Sequence, residues 1–75
     1  MNDRPNAKGM TMNASQLVKK LTFAEVNASL AADTRRMMRE ERVSLQAALQ
    51  SGDAGKIKKA MDEAKRVAEM WGVSL

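Results

Sequence analysis

The stretch Lys56–Trp71, KIKKAMDEAKRVAEMW, decides the fold. Its apolar residues are Ile57, Ala60, Met61, Ala64, Val67, Ala68 and Trp71, separated by steps of three and one residues. At 3.6 residues per turn this spacing keeps them all on one side of a helix. Between them stand Lys58, Lys59, Asp62, Glu63, Lys65, Arg66 and Glu69, which make a charged outer side. A row this regular requires an apolar partner surface, and the rest of the chain must provide it.

Immediately before this helix, Ser51-Gly52-Asp53 reads as a turn. Gly52 suits the left-handed position after a helix, and Asp53 suits the N-cap of the next one. So short a connection makes the flanking helices antiparallel neighbours. No Gly or Pro occurs between Thr22 and Ser51, and the stretch is rich in good helix formers. The expectation is one long helix over 23–50 with Phe23, Val26, Leu30, Met37, Met38, Leu45, Ala48 and Leu49 on its inner side. Thr34 and Glu41 interrupt that row, and Asp33-Thr34 is its weakest point. Thr22-Phe23-Ala24-Glu25 spells a capping box that would start it. A shorter helix over 13–21 precedes it, capped by Asn13 with Gln16, and carries Leu17, Val18 and Leu21 on one edge. Residues 1–12, MNDRPNAKGMTM, contain the only Pro and no periodicity, and read as a disordered arm. At the other end Gly72 reads as the glycine after the last helix, 54–71. Val73 falls where a Schellman motif places an apolar contact.

The expected fold class is therefore all-α: an antiparallel helical hairpin with a short extra N-terminal helix. At ~1.5 Å per residue the long helix would span ~42 Å against ~26 Å for the last one, so the hairpin leaves a remainder uncovered. Either the first helix folds back over that remainder or a second copy covers it. The 75-residue chain has no Cys and no His, so neither a disulfide nor a thiolate or imidazole metal site reinforces its small core. Self-association, a homodimer completing a bundle, is the expectation.

Thirteen Lys and Arg against nine Asp and Glu give a net charge of +4, spread along the chain, unlike a concentrated nucleic-acid-binding tail. No apolar run approaches the ~18 residues of a membrane span. No apolar segment follows Arg4 as a secretory leader would require, and a cytoplasmic protein without a membrane partner is expected. The missing histidines remove the commonest general base near neutral pH. No glycine-rich phosphate loop and no carboxylates at metal-binding spacing replace them, so no enzyme, no cofactor and no metal site is expected. Glu41 reads as a polar residue that sets register, either pairing with a Lys or Arg across a subunit interface or sitting where the row rotates from Met37 toward Met38 and Leu45, and not as a general acid.

The candidate partner-binding residues are Arg35, Arg36, Arg39, Arg42, Met70 and Trp71. On a helical wheel Arg35, Arg39 and Arg42 share a side roughly opposite the apolar row, with Arg36 beside them. Arginine suits bidentate contact with carboxylate or phosphate, although local pairs such as Arg36–Glu40 would also satisfy a solvated face. Met70 falls off the apolar row next to Trp71, and an adaptable Met beside an aromatic ring is a contact-making pair. The run Ala68-Glu69-Met70-Trp71-Gly72-Val73-Ser74 resembles the "A-x-x-x-G-V-S" run that leads into the recognition helix of a bacterial helix-turn-helix. The sequence stops at Leu75 without a helix to enter the major groove, and a glycine-capped helix explains the same residues. The functional expectation is a small non-enzymatic protein-interaction module, a regulator, adaptor or inhibitor of a larger bacterial or phage-type protein. The alternative is a nucleic-acid-associated accessory protein that contacts phosphates through its Arg and Lys clusters.

Overall fold

Asn13 opens the first helix as its sequence predicts. In a computed structural model that describes residues 13–75, the Asn13 carbonyl oxygen Oδ1 accepts from the Gln16 N–H at 2.9 Å. The Gln16 Oε1 in turn accepts from the Asn13 N–H at 3.2 Å. This reciprocal capping box starts α1, Ala14–Glu25. The arm expected over 1–12 lies outside the described residues.

α1 does not stop at Leu21. The Thr22 hydroxyl donates to the Val18 carbonyl one turn back, at 2.8 Å, as a Ser or Thr inside a helix does. Thr22 thus lies inside α1 and is not an N-cap, and the capping box expected at Thr22–Glu25 does not form. The helix ends at Glu25 instead. The link that follows is built around Asn27, whose side-chain Oδ1 accepts the Ser29 N–H at 2.9 Å and whose carbonyl accepts the Leu30 N–H at 3.0 Å. This side-chain-supported turn offers the backbone partners that a helix would otherwise supply.

The single helix expected over 23–50 is thus divided, and α2 begins only at Ala32, running Ala32–Ser51. The break falls ahead of Asp33-Thr34, which sits in the first turn of α2. Counting only Gly and Pro as breakers missed it. The Asn27 side chain competes with the helix by taking the Ser29 N–H, and the turn lets α1 fold back along α2.

The second turn and both later caps match their residues. Gly52 adopts φ 71° and donates its N–H to the Leu49 carbonyl. The Asp53 carboxylate accepts the N–H groups of Gly55 and Lys56 at 2.9 and 3.1 Å, starting α3, Ala54–Met70. α3 closes in a full Schellman motif: the Val73 N–H reaches the Ala68 carbonyl at 2.8 Å and the Gly72 N–H the Glu69 carbonyl at 3.1 Å, with Gly72 at φ 75°.

The described residues are all-helical, with α2 and α3 packed as a hairpin. α2 is the middle helix: α1 and α3 each lie along it and scarcely touch one another. Leu17 and Leu21 of α1, Met38 and Leu45 of α2 and Ala64 of α3 are fully buried, with Ala24 and Ala68 in the same cluster. The alanines let α3 approach α2 closely, and Met61, Val67, Val73 and Leu75 close the rim.

Two residues of the expected inner row are corrected here. Phe23 and Val26 point outward, 74% and 68% exposed. Once Phe23 belongs to α1, the inward side of that helix is set by Leu17, Leu21 and Ala24, and Phe23 is about 100° off it. Trp71, expected in the α3 row, is also 41% exposed.

Replacing Leu45 by Ala should lower the free energy of unfolding by ~2–5 kcal/mol, because a fully buried side chain leaves a cavity. Val43→Ala, on the exposed side of the same helix, should change it by no more than ~0.5 kcal/mol. Urea denaturation followed by helical circular dichroism measures both, and equal losses would contradict the packing.

Candidate functional site

The arginines of α2 divide by position and not by sequence order. Arg42 is turned toward α1, where its Nε and one terminal nitrogen both donate to the Glu25 carboxylate, the second at 3.1 Å; the other terminal nitrogen donates to Gln46 at 2.7 Å. This is a planar two-bond fork between partners that are both largely shielded from water. Arg42 therefore ties the end of α1 to the middle of α2, and its donors are engaged there by Glu25 and Gln46. Arg36 is exposed and 3.4 Å from Asp33, one turn toward the N-terminus, and not paired with Glu40. Such a surface pair contributes little.

Arg35 and Arg39 remain. Arg39 is exposed, whereas Arg35 is half-buried, and its Nε is enclosed with no hydrogen-bond partner among the described residues. Both line an open groove with Arg36, Arg42, Glu25 and Ala32. Its one carboxylate, Glu25, is held by Arg42, so the groove presents net positive charge. Arg35, Arg36, Arg39 and Arg42 thus border one groove, with Arg36 and Arg39 exposed and Arg35 and Arg42 half-buried.

Met70 is 74% exposed beside Trp71, as its place off the apolar row predicts. Both stand at the C-terminal end of α3, away from the arginines in sequence.

A surface that the sequence did not single out lies on α1. Val18, Lys19, Thr22, Phe23 and Val26 line a groove with almost no polar wall. Phe23 also borders a second groove, with Lys20, Ala24, Leu30, Val73 and Leu75. One exposed aromatic ring is thus the ridge between two hollows. Contiguous apolar surface of this kind, rimmed by charge, marks an interaction site more often than a scattered exposed residue does. The signal was present in the sequence. Leu17, Leu21 and Ala24 continue one helical row at steps of four and three through the supposed boundary at Thr22, and that row places Phe23 outside it.

Glu41 is almost fully buried on α2 and lines the seam toward α3 with Lys59 and Glu63. It makes no ion pair and no hydrogen bond among the described residues. Burial pushes its carboxyl above the ordinary value of 4.5, and the neighbouring carboxylates of Glu63 and Glu40 push the same way, against the pull of Arg66.

Because Glu41 holds its proton more tightly when folded, it favours the folded state most below about pH 4.5, and that contribution is lost as pH rises through its raised value. Glu41→Gln should therefore raise the melting temperature at pH 7, with the gain over the parent shrinking toward zero below pH 4.5. A gain that is constant across pH would contradict the assignment. Arg42→Ala should lower the urea midpoint, Arg42→Lys should recover only part of the loss because an ammonium cannot make the fork, and Arg39→Ala should leave the midpoint unchanged.

Compared with known proteins, the chain has no match: no family model, no curated protein and no solved structure is similar to it. Its functional reading rests on its own residues.

Proposed function

We propose that this chain is a small non-enzymatic protein-interaction module of the cytoplasm, a regulator, adaptor or inhibitor that works by docking a helical face onto another protein. The observation that carries the reading is the outward face of α1, where Phe23 and Val26 are held in the open by a helix whose other side is anchored in the core. An aromatic ring fixed on a rigid element is the residue type that dominates binding energy at interfaces. Met70 and Trp71 offer a second contact at the end of α3, and Arg39 offers exposed donors on α2. A homodimer, expected because a chain this small has no disulfide or metal to reinforce it, competes with a foreign partner for exposed apolar surface.

The second reading, an accessory protein contacting nucleic-acid phosphates, draws on the groove lined by Arg35, Arg36 and Arg39 and on the enclosed, unpartnered Nε of Arg35. It ranks lower because Arg42 is spent on Glu25, and because Asp33 already offsets Arg36.

A photo-reactive phenylalanine analogue placed at position 23, expressed in bacterial cells, should cross-link to protein, whereas the same analogue at Lys58 should not. No cross-link at 23, or equal yield at both positions, would overturn the reading. Gel shift with random duplex DNA at two salt concentrations separates the alternative: phosphate binding weakens steeply with salt, and no retardation is expected at either concentration.

A further inference from the structure

We infer that the outward face of α1 receives an acidic amphipathic helix of another protein, with Phe23 and Val26 as its apolar seat and Lys19 and Lys20 as its charge contacts. The inference rests on the interaction-module reading above and names the chemistry of the partner.

Val18, Thr22 and Val26 follow one another at helical spacing along α1 and its C-cap, Val18 half-buried at the edge of the core and the other two exposed, and Phe23 stands beside them. From Val18 to Val26 the strip is ~12 Å long, which matches about two turns of a docked helix. Docked helices use apolar anchors at this spacing.

The charged half follows from where the one acid of α1 has gone. The ionisable residues of α1 are Lys19, Lys20 and Glu25. Glu25 is turned inward and both its oxygens are occupied by Arg42. Lys19 lines the apolar groove itself, and Lys20 lines the neighbouring hollow on the other side of Phe23. The exposed side of α1 thus shows apolar surface and two ammonium groups with no available carboxylate. Beyond Glu25 the Arg35 and Arg39 groove continues the same sign of charge. The complement of such a surface is an apolar row with acidic flanks.

The same arrangement disfavours the other occupants. A second copy docked on this face would bring its own Lys19 and Lys20 into the interface, and its Glu25 is equally committed. A basic helix meets like charge on both margins. A nucleic acid would cover Phe23, Val18 and Val26 with phosphates, leaving the apolar area without a partner.

The test is selection from a displayed library of amphipathic helices that share an apolar row and carry randomised flanking positions, using the full chain as bait. Enrichment of Asp and Glu at the flanks is expected. Selected clones should lose about tenfold or more in affinity on Phe23→Ser, which the exposed position of Phe23 allows without loss of helical signal. The double variant Lys19→Glu, Lys20→Glu should turn the enrichment toward Lys and Arg. No enrichment, enrichment without acidic bias, or clones indifferent to Phe23→Ser would overturn the inference. A concentration-dependent dimer in sedimentation that Phe23→Ser abolishes would assign the face to a second copy. Duplex DNA binding lost in the lysine variant but kept in Phe23→Ser would assign it to nucleic acid. Either result also overturns the inference. Cross-linking at position 23 without acidic bias in the library would leave the interaction module standing and remove only the partner's charge, whereas no cross-link removes the module itself.

Discussion

The buried row on α2 has to be covered from two sides at once. Met38 and Leu45 are fully enclosed, yet α1 and α3 scarcely meet, so each supplies cover that the other cannot. Leu17 and Leu21 fill one side with large side chains, and Ala64 and Ala68 fill the other by letting a backbone come near. In a chain this small there is little other apolar area to bury, and the loss of either cover would expose the middle helix. The turn at Asn27 follows from this requirement. A helix running on past Glu25 would carry Leu17 and Leu21 away from the residues they enclose. The Arg42–Glu25 fork fixes the returned position by joining the last residue of α1 to the middle of α2.

Much of this was legible in the residues, for local reasons. Asn13 with Gln16, Gly52 with Asp53, and Gly72 with Val73 are each a short pattern whose hydrogen bonds close within a few residues, and each forms as its pattern predicts. The α3 row was legible because its spacing is regular and the small residues in it face α2. Thr22-Phe23-Ala24-Glu25 has an equally good local pattern and does not form. Two demands from outside the motif win there: the Thr22 hydroxyl bonds the Val18 carbonyl, and Glu25 is taken by an arginine 17 residues away. A capping box contributes about as much as either contact, so its sequence alone cannot settle the outcome.

The candidate surface was legible in part for a related reason. Met70 stands in the open, and Arg36 and Arg39 face water, as their places in the sequence suggest, whereas Trp71 is exposed despite its place in the apolar row. Arg42 is held by Glu25, and no count of charges along the helix distinguishes it from Arg39. Phe23 was hidden by the opposite mistake, since an aromatic residue at the start of an apolar row reads as core. The two errors share one cause. Moving the helix boundary from Thr22 to Glu25 brings the carboxylate inward, engages Arg42, and rotates Phe23 outward. What remains on the outer side of α1 is apolar surface with lysines and no acid.

The account therefore depends on α1 ending at Glu25 and returning along α2. Nuclear magnetic resonance on a methyl-labelled sample tests this directly. The account predicts cross-peaks from the methyl groups of Leu17 and Leu21 to those of Met38 and Leu45, with non-helical carbon shifts over Asn27–Leu30 and the Phe23 ring accessible to a soluble relaxation agent. Continuous helical shifts from Phe23 to Gln50, with the Phe23 ring protected, would contradict it.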